Sequence, residues 1–185
     1  MLWKGEAGGR VAESWGAQLL PRGDVDLVAM DSTSRETIDA EGLLAGGTYG
    51  HSTNGELDTR VEVTRQPDGK TYRYEGEKDG KALQGHFLTR AGLATDLWFA
   101  RRLAQGAPAA PGELRHEGYS CESNPVAPTP VVYRRDPATP RRATLELGAM
   151  RVTGELDEHG MMRDGEMPIG PTRLVMERAS ARGAP

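Results

Sequence analysis

Few residues in this chain have types and spacing that could do chemistry. His51 lies in Tyr49-Gly50-His51-Ser52-Thr53-Asn54, and the single cysteine, Cys121, sits at the matching place of Tyr119-Ser120-Cys121-Glu122-Ser123-Asn124. An imidazole within reach of a thiol can take its proton and create a nucleophile. His116-Glu117, just upstream, could orient such a base, and Glu122 is the neighbouring carboxylate. His51, His116, Cys121 and Glu122 are therefore the catalytic candidates. Their spacing matches no protease or transferase signature, and the simpler reading of a lone cysteine is a small buried apolar residue. The histidines at 51, 86, 116 and 159 form no His-x-His or His-Glu-x-x-His pattern, so no metal is expected. Met150, Met161, Met162, Met167 and Met176 are soft ligands in principle, but at strand spacing they read as filler for an irregular interior. Gly46-Gly47 lacks the Lys-Ser/Thr of a phosphate loop. No cofactor is expected.

A second set of residues suits binding. Arg60, Arg73 and Arg101 can hold a carboxylate or phosphate through the planar guanidinium fork. Tyr72, Tyr74, Trp98 and Phe99 could supply apolar walls with a few polar edges, the usual make-up of a ligand site. The simpler reading puts the arginines on a solvated strand face and the aromatic residues in the core.

Composition limits what can position these groups. The chain has 185 residues, 37% of them hydrophobic and 5% aromatic, with 24 Gly and 12 Pro, and its net charge is −4. That balance argues against a nucleic-acid partner, which calls for a basic surface. No run approaches the roughly 20 apolar residues of a membrane-spanning helix. One cysteine excludes a disulfide framework. The start of the chain lacks the charged and apolar regions of an export signal, so the expected location is cytoplasmic, or periplasmic or envelope if a signal has been removed.

The turn-formers fall between short alternating segments. Residues 60–64, 70–74 and 82–88 alternate apolar with polar and are separated by Pro67-Asp68-Gly69 and by Asp79-Gly80, a pair that favours a type I′ hairpin. The last third repeats the style at 143–147, 150–156, 161–167 and 172–178. Segments 10–20 and 23–30 can form an opening hairpin. Segment 32–44 could be a short helix or a strand, and 93–104 reads preferentially as a strand. Sliding the chain by 70 residues matches Tyr49 with Tyr119, Asn54 with Asn124, Thr59 with Thr129, Val61 with Val131, Arg65 with Arg135 and Pro67 with Pro137. The expectation is an all-β fold with at most one short helix, a strongly curved antiparallel sheet in the form of an open barrel or spiral β-roll. It would be one domain over 1–178, with related units at about 45–104 and 113–178 and a disordered tail at 179–185.

Several features in this order resemble the glycolipid-binding family of bacterial proteins: Trp3 and Glu6, then Asp58-Thr59-Arg60-Val61-Glu62-Val63, then Thr95-Asp96-Leu97 before Arg101-Arg102-Leu103, and finally Leu156-Asp157-Glu158-His159-Gly160. The resemblance covers nearly the whole chain and implies a duplicated spiral β-roll. The C-terminal third, through Glu166-Met167-Pro168-Ile169-Gly170 to Leu174-Val175-Met176-Glu177-Arg178, also resembles the β-domain that precedes transglutaminase-like domains. No Cys-His-Asp transglutaminase unit follows, so that enzymology does not transfer. Both resemblances imply an antiparallel sheet bent around an apolar cavity.

Three functions fit. The first is non-catalytic binding of a small amphipathic or lipid-like ligand, a lipid or glycolipid, inside the curved sheet, where the shortage of large side chains leaves room. The second is an enzyme, such as a cyclase, isomerase or hydrolase, acting on a hydrophobic metabolite in the same cavity. The third is an interaction module or homodimer formed through an open sheet edge.

Overall fold

A computed structural model describes the backbone of residues 2–6, 9–22, 26–106, 112–169 and 172–177, and the side chains of 32–106 and 112–167. The fold is all-β and antiparallel, with thirteen strands and one short helix among the described residues. Strands β1 (Leu2–Glu6), β2 (Gly9–Arg22), β3 (Asp26–Ile38), β4 (Leu44–Thr53), β5 (Glu56–Arg65), β6 (Thr71–Lys78) and β7 (Lys81–Leu88) form one sheet in sequence order. Strands β8 (Glu113–Gly118), β9 (Thr129–Arg135), β10 (Arg142–Leu147), β11 (Met150–Leu156), β12 (Met162–Ile169) and β13 (Thr172–Glu177) form the other, again in order. The expected opening hairpin is the β2–β3 pair, and 32–44 is strand as far as Ile38, followed by a turn. The 70-residue offset carries β5 and β6 onto β9 and β10. The tail 179–185 lies outside the described residues.

The chain packs as two compact units. The first comprises Met1–Gly92 and Tyr119–Pro128, the second Leu93–Gly118 and Thr129–Pro185. In the first unit the strands obey period two. In β5, Thr59, Val61 and Val63 are buried while Arg60, Glu62 and Thr64 are exposed. Two tight turns join neighbouring strands, Asn54-Gly55 between β4 and β5 and Asp79-Gly80 between β6 and β7. In both, each residue has positive φ (52° and 80°, then 50° and 72°), the type I′ requirement that Asn-Gly and Asp-Gly meet at little cost.

The small aromatic content is concentrated rather than spread. Tyr72 stacks on Phe87 at 5.6 Å, Phe87 on Tyr119 at 6.0 Å, and Tyr119 tilts against Tyr49 at 4.7 Å. Inward-facing glycines seat these rings. A Cβ on Gly85 would lie 2.6 Å from the Tyr74 hydroxyl, and one on Gly47 3.0 Å from that of Tyr49. Pairing a ring with a glycine lets few aromatic side chains cover the inner face of this sheet. The low aromatic fraction is met by ring-on-glycine packing at these positions.

Segment 93–104, expected as a strand, is in fact the helix α1 (Asp96–Ala104). Its buried residues are Phe99, Ala100 and Leu103, spaced to share one helical face. Phe99 packs on Tyr133 at 4.9 Å, and Asp96 in the first turn and Arg101 and Arg102 in the last complement the helix dipole. Strand alternation in Leu97-Trp98-Phe99-Ala100 cannot be told from a short helix without this partner.

Candidate functional site

The chemistry of the first unit centres on an irregularity in the β4–β5 pairing. His51 pairs with Thr59 and Ser52 with Leu57, leaving Asp58 as an unpaired extra residue. Such a β-bulge re-aims side chains. Strict alternation would bury Leu57 beside Thr59 and Val61 and put Asp58 outside with Arg60. The bulge exchanges them. Asp58 turns inward, and Leu57 is left 61% exposed.

Turned inward, Asp58 grips His51. The imidazole Nδ1 lies 2.8 and 2.9 Å from the two carboxylate oxygens, and the Thr53 hydroxyl donates to the same carboxylate at 2.7 Å. Burial works to raise the Asp58 pKa, but hydrogen bonds from Thr53, His51 and Thr59 outweigh it and hold the carboxyl below its ordinary value. His51 is itself only 7% exposed. A neutral ring donating from Nδ1 presents Nε2 as an acceptor, and that atom is buried with no hydrogen-bond partner among the described residues.

Cys121 and Glu122 belong to the same unit as His51. The Ser32 hydroxyl donates to Glu122, and Ser32 is the cross-strand neighbour of His51. Cys121 is buried. Burial pushes its thiol up to about 11, and the Glu122 and Asp58 carboxylates push the same way, so it is a protonated, weakly nucleophilic group at neutral pH. The thiol makes no hydrogen bond to Nε2. His116 lies in the second unit, its ring 4.5 Å from Trp98 and its Nδ1 accepting the Glu117 N–H at 2.9 Å. His86 and His159 are exposed. Among the described residues, no group of three His, Cys, Asp or Glu side chains could hold a metal ion.

The binding candidates divide by face and by unit. Tyr72 and Tyr74 point into the first unit's interior, where the Tyr72 hydroxyl donates to the Leu44 carbonyl at 2.8 Å. Arg60 and Arg73 stand on the opposite face of the same sheet. Trp98, Phe99 and Arg101 lie on α1 in the second unit, with Arg102 placed 5.3 Å above the Trp98 ring. The groups brought together are those around Arg60. A cleft of about 430 Å³ runs across β3–β5, lined by Thr33, Arg35, Thr48, Gly50, Leu57 and Arg60 among others. A second, of about 390 Å³, runs across β4–β6 and is lined by Thr48, Leu57, Arg60, Glu62, Glu75 and Glu77 among others. Arg60, Leu57 and Thr48 belong to both, so the clefts form one open trough. At Gly50 the Thr33 side chain leans into the space that a Cβ would take, an added Cβ meeting Thr33 Oγ1 at 2.8 Å. Leu57 and Gly50 escaped the sequence reading. The Asn54-Gly55 turn two residues before Leu57 was the available signal, but it does not reveal a bulge.

No helix among the described residues is long and apolar enough to cross a membrane. No protein-family model and no curated protein matches the chain. Solved structures similar to it include the following two. One is a DUF1089 family protein from Pseudomonas aeruginosa, with a TM-score of 0.47 and 13% identity over 89% of this chain and 86% of that one. The other is a β-barrel-like protein of the domain of unknown function DUF1849 from Brucella abortus, with a TM-score of 0.66 and 14% identity over 95% of this chain and 83% of that one. At such identity the likeness is one of fold, and the chain shares the β-barrel-like fold of the Brucella protein.

Proposed function

We propose that this protein is a non-catalytic binder of a small amphipathic molecule, a lipid or glycolipid, held in the open trough across β3–β6. The observation that carries this reading is the placing of Leu57 beside Arg60. The bulge exposes a large apolar side chain next to a guanidinium that has no ion-pair partner among the described residues. Arg60 would hold an anionic head group by charge-assisted hydrogen bonds, and Leu57 would cover the first part of an apolar tail. The family resemblance in the sequence supports the same class of ligand. The raised Cys121 thiol and the sealed Nε2 of His51 speak against a nucleophilic site.

Native mass spectrometry of the protein purified from cells, with lipid extraction, tests this directly. We expect a co-purifying amphiphile, lost in the double variant Arg60→Gln, Leu57→Ser. Absence of any ligand, together with no shift in melting temperature across a lipid panel, would overturn the reading. A catalytic role is favoured by one observation, the unpaired buried Nε2 on a histidine gripped by a carboxylate, the arrangement of a general base. Turnover of a hydrophobic ester or ketone that disappears in His51→Gln would support it over simple binding.

A further inference from the structure

We infer that the trough selects a zwitterionic head group, one in which an anionic centre and a cationic amine are joined by a short linker. This rests on the amphiphile-binding reading above and goes further by assigning the charge pattern of the ligand.

The two halves of the trough carry opposite charge. The β3–β5 cleft is lined by Arg35 and Arg60 with the hydroxyl-bearing Thr33 and Thr48, and by no carboxylate among the described residues. The β4–β6 cleft is lined by Glu62, Glu75 and Glu77. In register, Arg60 stands directly across from Glu77 on β6 and Glu62 across from Glu75, and the burial pattern puts all four on the exposed face. Cross-strand neighbours lie ~5 Å apart and normally pair when their charges are opposite. Here Glu75 pairs with Arg73 at 2.5 Å, while Arg60, Glu62 and Glu77 make no ion pair among the described residues.

Unmatched charges of both signs, one strand spacing apart beside an exposed leucine, are complementary to a ligand carrying the reverse pattern. An anion seated over Gly50 would reach Arg60. A cation one strand further would meet Glu62 and Glu77. A purely anionic head group would gain Arg60 but face those two carboxylates, and a purely cationic one the reverse. Only a head group bearing both charges satisfies both clefts. Such selection by repulsion of the wrong partner as well as attraction of the right one is how charged sites discriminate.

The test uses the full chain and four single-chain amphiphiles below their micellar concentrations, with binding read by isothermal titration calorimetry: lysophosphatidylcholine, lysophosphatidylglycerol, an alkyl trimethylammonium and an alkyl maltoside. The zwitterion should bind roughly 10-fold more tightly than the anionic and cationic amphiphiles, the loss of one charge-assisted contact, and by more than that over the uncharged maltoside, which lacks both. The double variant Glu62→Gln, Glu77→Gln should lower its affinity roughly 10-fold while leaving the anionic lipid unchanged or bound more tightly. Arg60→Gln should weaken both. These residues are exposed, and circular dichroism checks that each variant folds. Equal or tighter binding of the anionic lipid by the wild type, or an unchanged zwitterion affinity in the glutamine variant, would overturn the inference while leaving amphiphile binding intact. If none of the four binds, both readings fall.

Discussion

Asp58→Ala removes the carboxylate that holds His51, and its cost can be worked from the contacts. The variant loses the charged acceptor for Nδ1 and leaves a ring that is 7% exposed with neither nitrogen bonded. A hydrogen bond to a charged group contributes about 1.5–3 kcal/mol, and a buried donor left without a partner costs a similar amount. The Asp58 side chain is itself 25% exposed, so water can enter the vacated space, which puts the expected loss near the lower end, ~2 kcal/mol. For a chain of this size that corresponds to a fall in melting temperature of roughly 4–8 °C. Asp58→Asn keeps an oxygen for Nδ1 and loses the charge, so about half that loss is expected.

Two measurements make the reasoning refutable. Because the folded-state pKa of Asp58 is depressed, its contribution is complete above the unfolded value of about 4 and is lost as pH falls through the folded pKa. The stability gap between wild type and Asp58→Ala, followed by urea denaturation, should therefore be constant from pH 7 to pH 5 and shrink below about pH 4. Replacing both partners with apolar groups, as in His51→Leu with Asp58→Ala, should recover part of the single-variant loss, since no buried polar atom is then left unpaired. A single variant within about 0.5 kcal/mol of wild type, or a gap that does not shrink in acid, would show that the grip on His51 contributes nothing to folding.

Two further outcomes are expected. Gly154→Ala would place a Cβ 1.8 Å from the Asp164 carbonyl oxygen, forcing the backbones of β11 and β12 apart, whereas at Gly85 the new methyl meets only the side chain of Tyr74, its hydroxyl at 2.6 Å and the ring carbon Cζ at 2.8 Å. Denaturant midpoints should show a loss of about 3 kcal/mol for the first and about 1 for the second, and equal losses would contradict this account of the inward glycines. With its thiol pushed up to about 11, Cys121 should react with a maleimide at pH 8 roughly 100-fold more slowly in the folded protein than in urea. Comparable rates would show that it is neither buried nor protonated.

What the sequence made legible follows from how local each signal is. The hairpin at Asp79-Gly80 depends on two adjacent residues that tolerate positive φ, and β5, β6 and β7 on alternation within a few positions, so both could be read directly. Asn54-Gly55 carries the same signal and could have been read from it. The helix α1 is different. Nine residues with a narrow apolar stripe do not declare their period, and its identity is decided by Tyr133, more than thirty positions later, against which Phe99 packs. The pairing of His51 with Asp58 is harder still, because seven positions of sequence separation place the two on facing strands only once the register is known.

The bulge at Asp58 shows why register matters for function. Burial alone favours the opposite arrangement: an inward Leu57 would gain about 1.5–3 kcal/mol of hydrophobic stabilisation, and an outward Asp58 would stay hydrated. One unpaired residue reverses both preferences at once. It places a carboxylate against a buried imidazole and puts an apolar side chain beside Arg60, so the dyad inside the sheet and the trough outside it have a single structural origin. An isolated exposed leucine needs no explanation. A leucine that the hairpin register displaces from the core, beside an arginine that faces Glu77 without an ion-pair partner among the described residues, is what the amphiphile-binding proposal explains. Perturbations of the dyad and of ligand binding should therefore be coupled: if Asp58→Ala lets the hairpin slip to regular alternation, amphiphile affinity falls with stability. If affinity is unchanged while stability falls, the bulge persists without its carboxylate, and the Asn54-Gly55 turn alone sets the register.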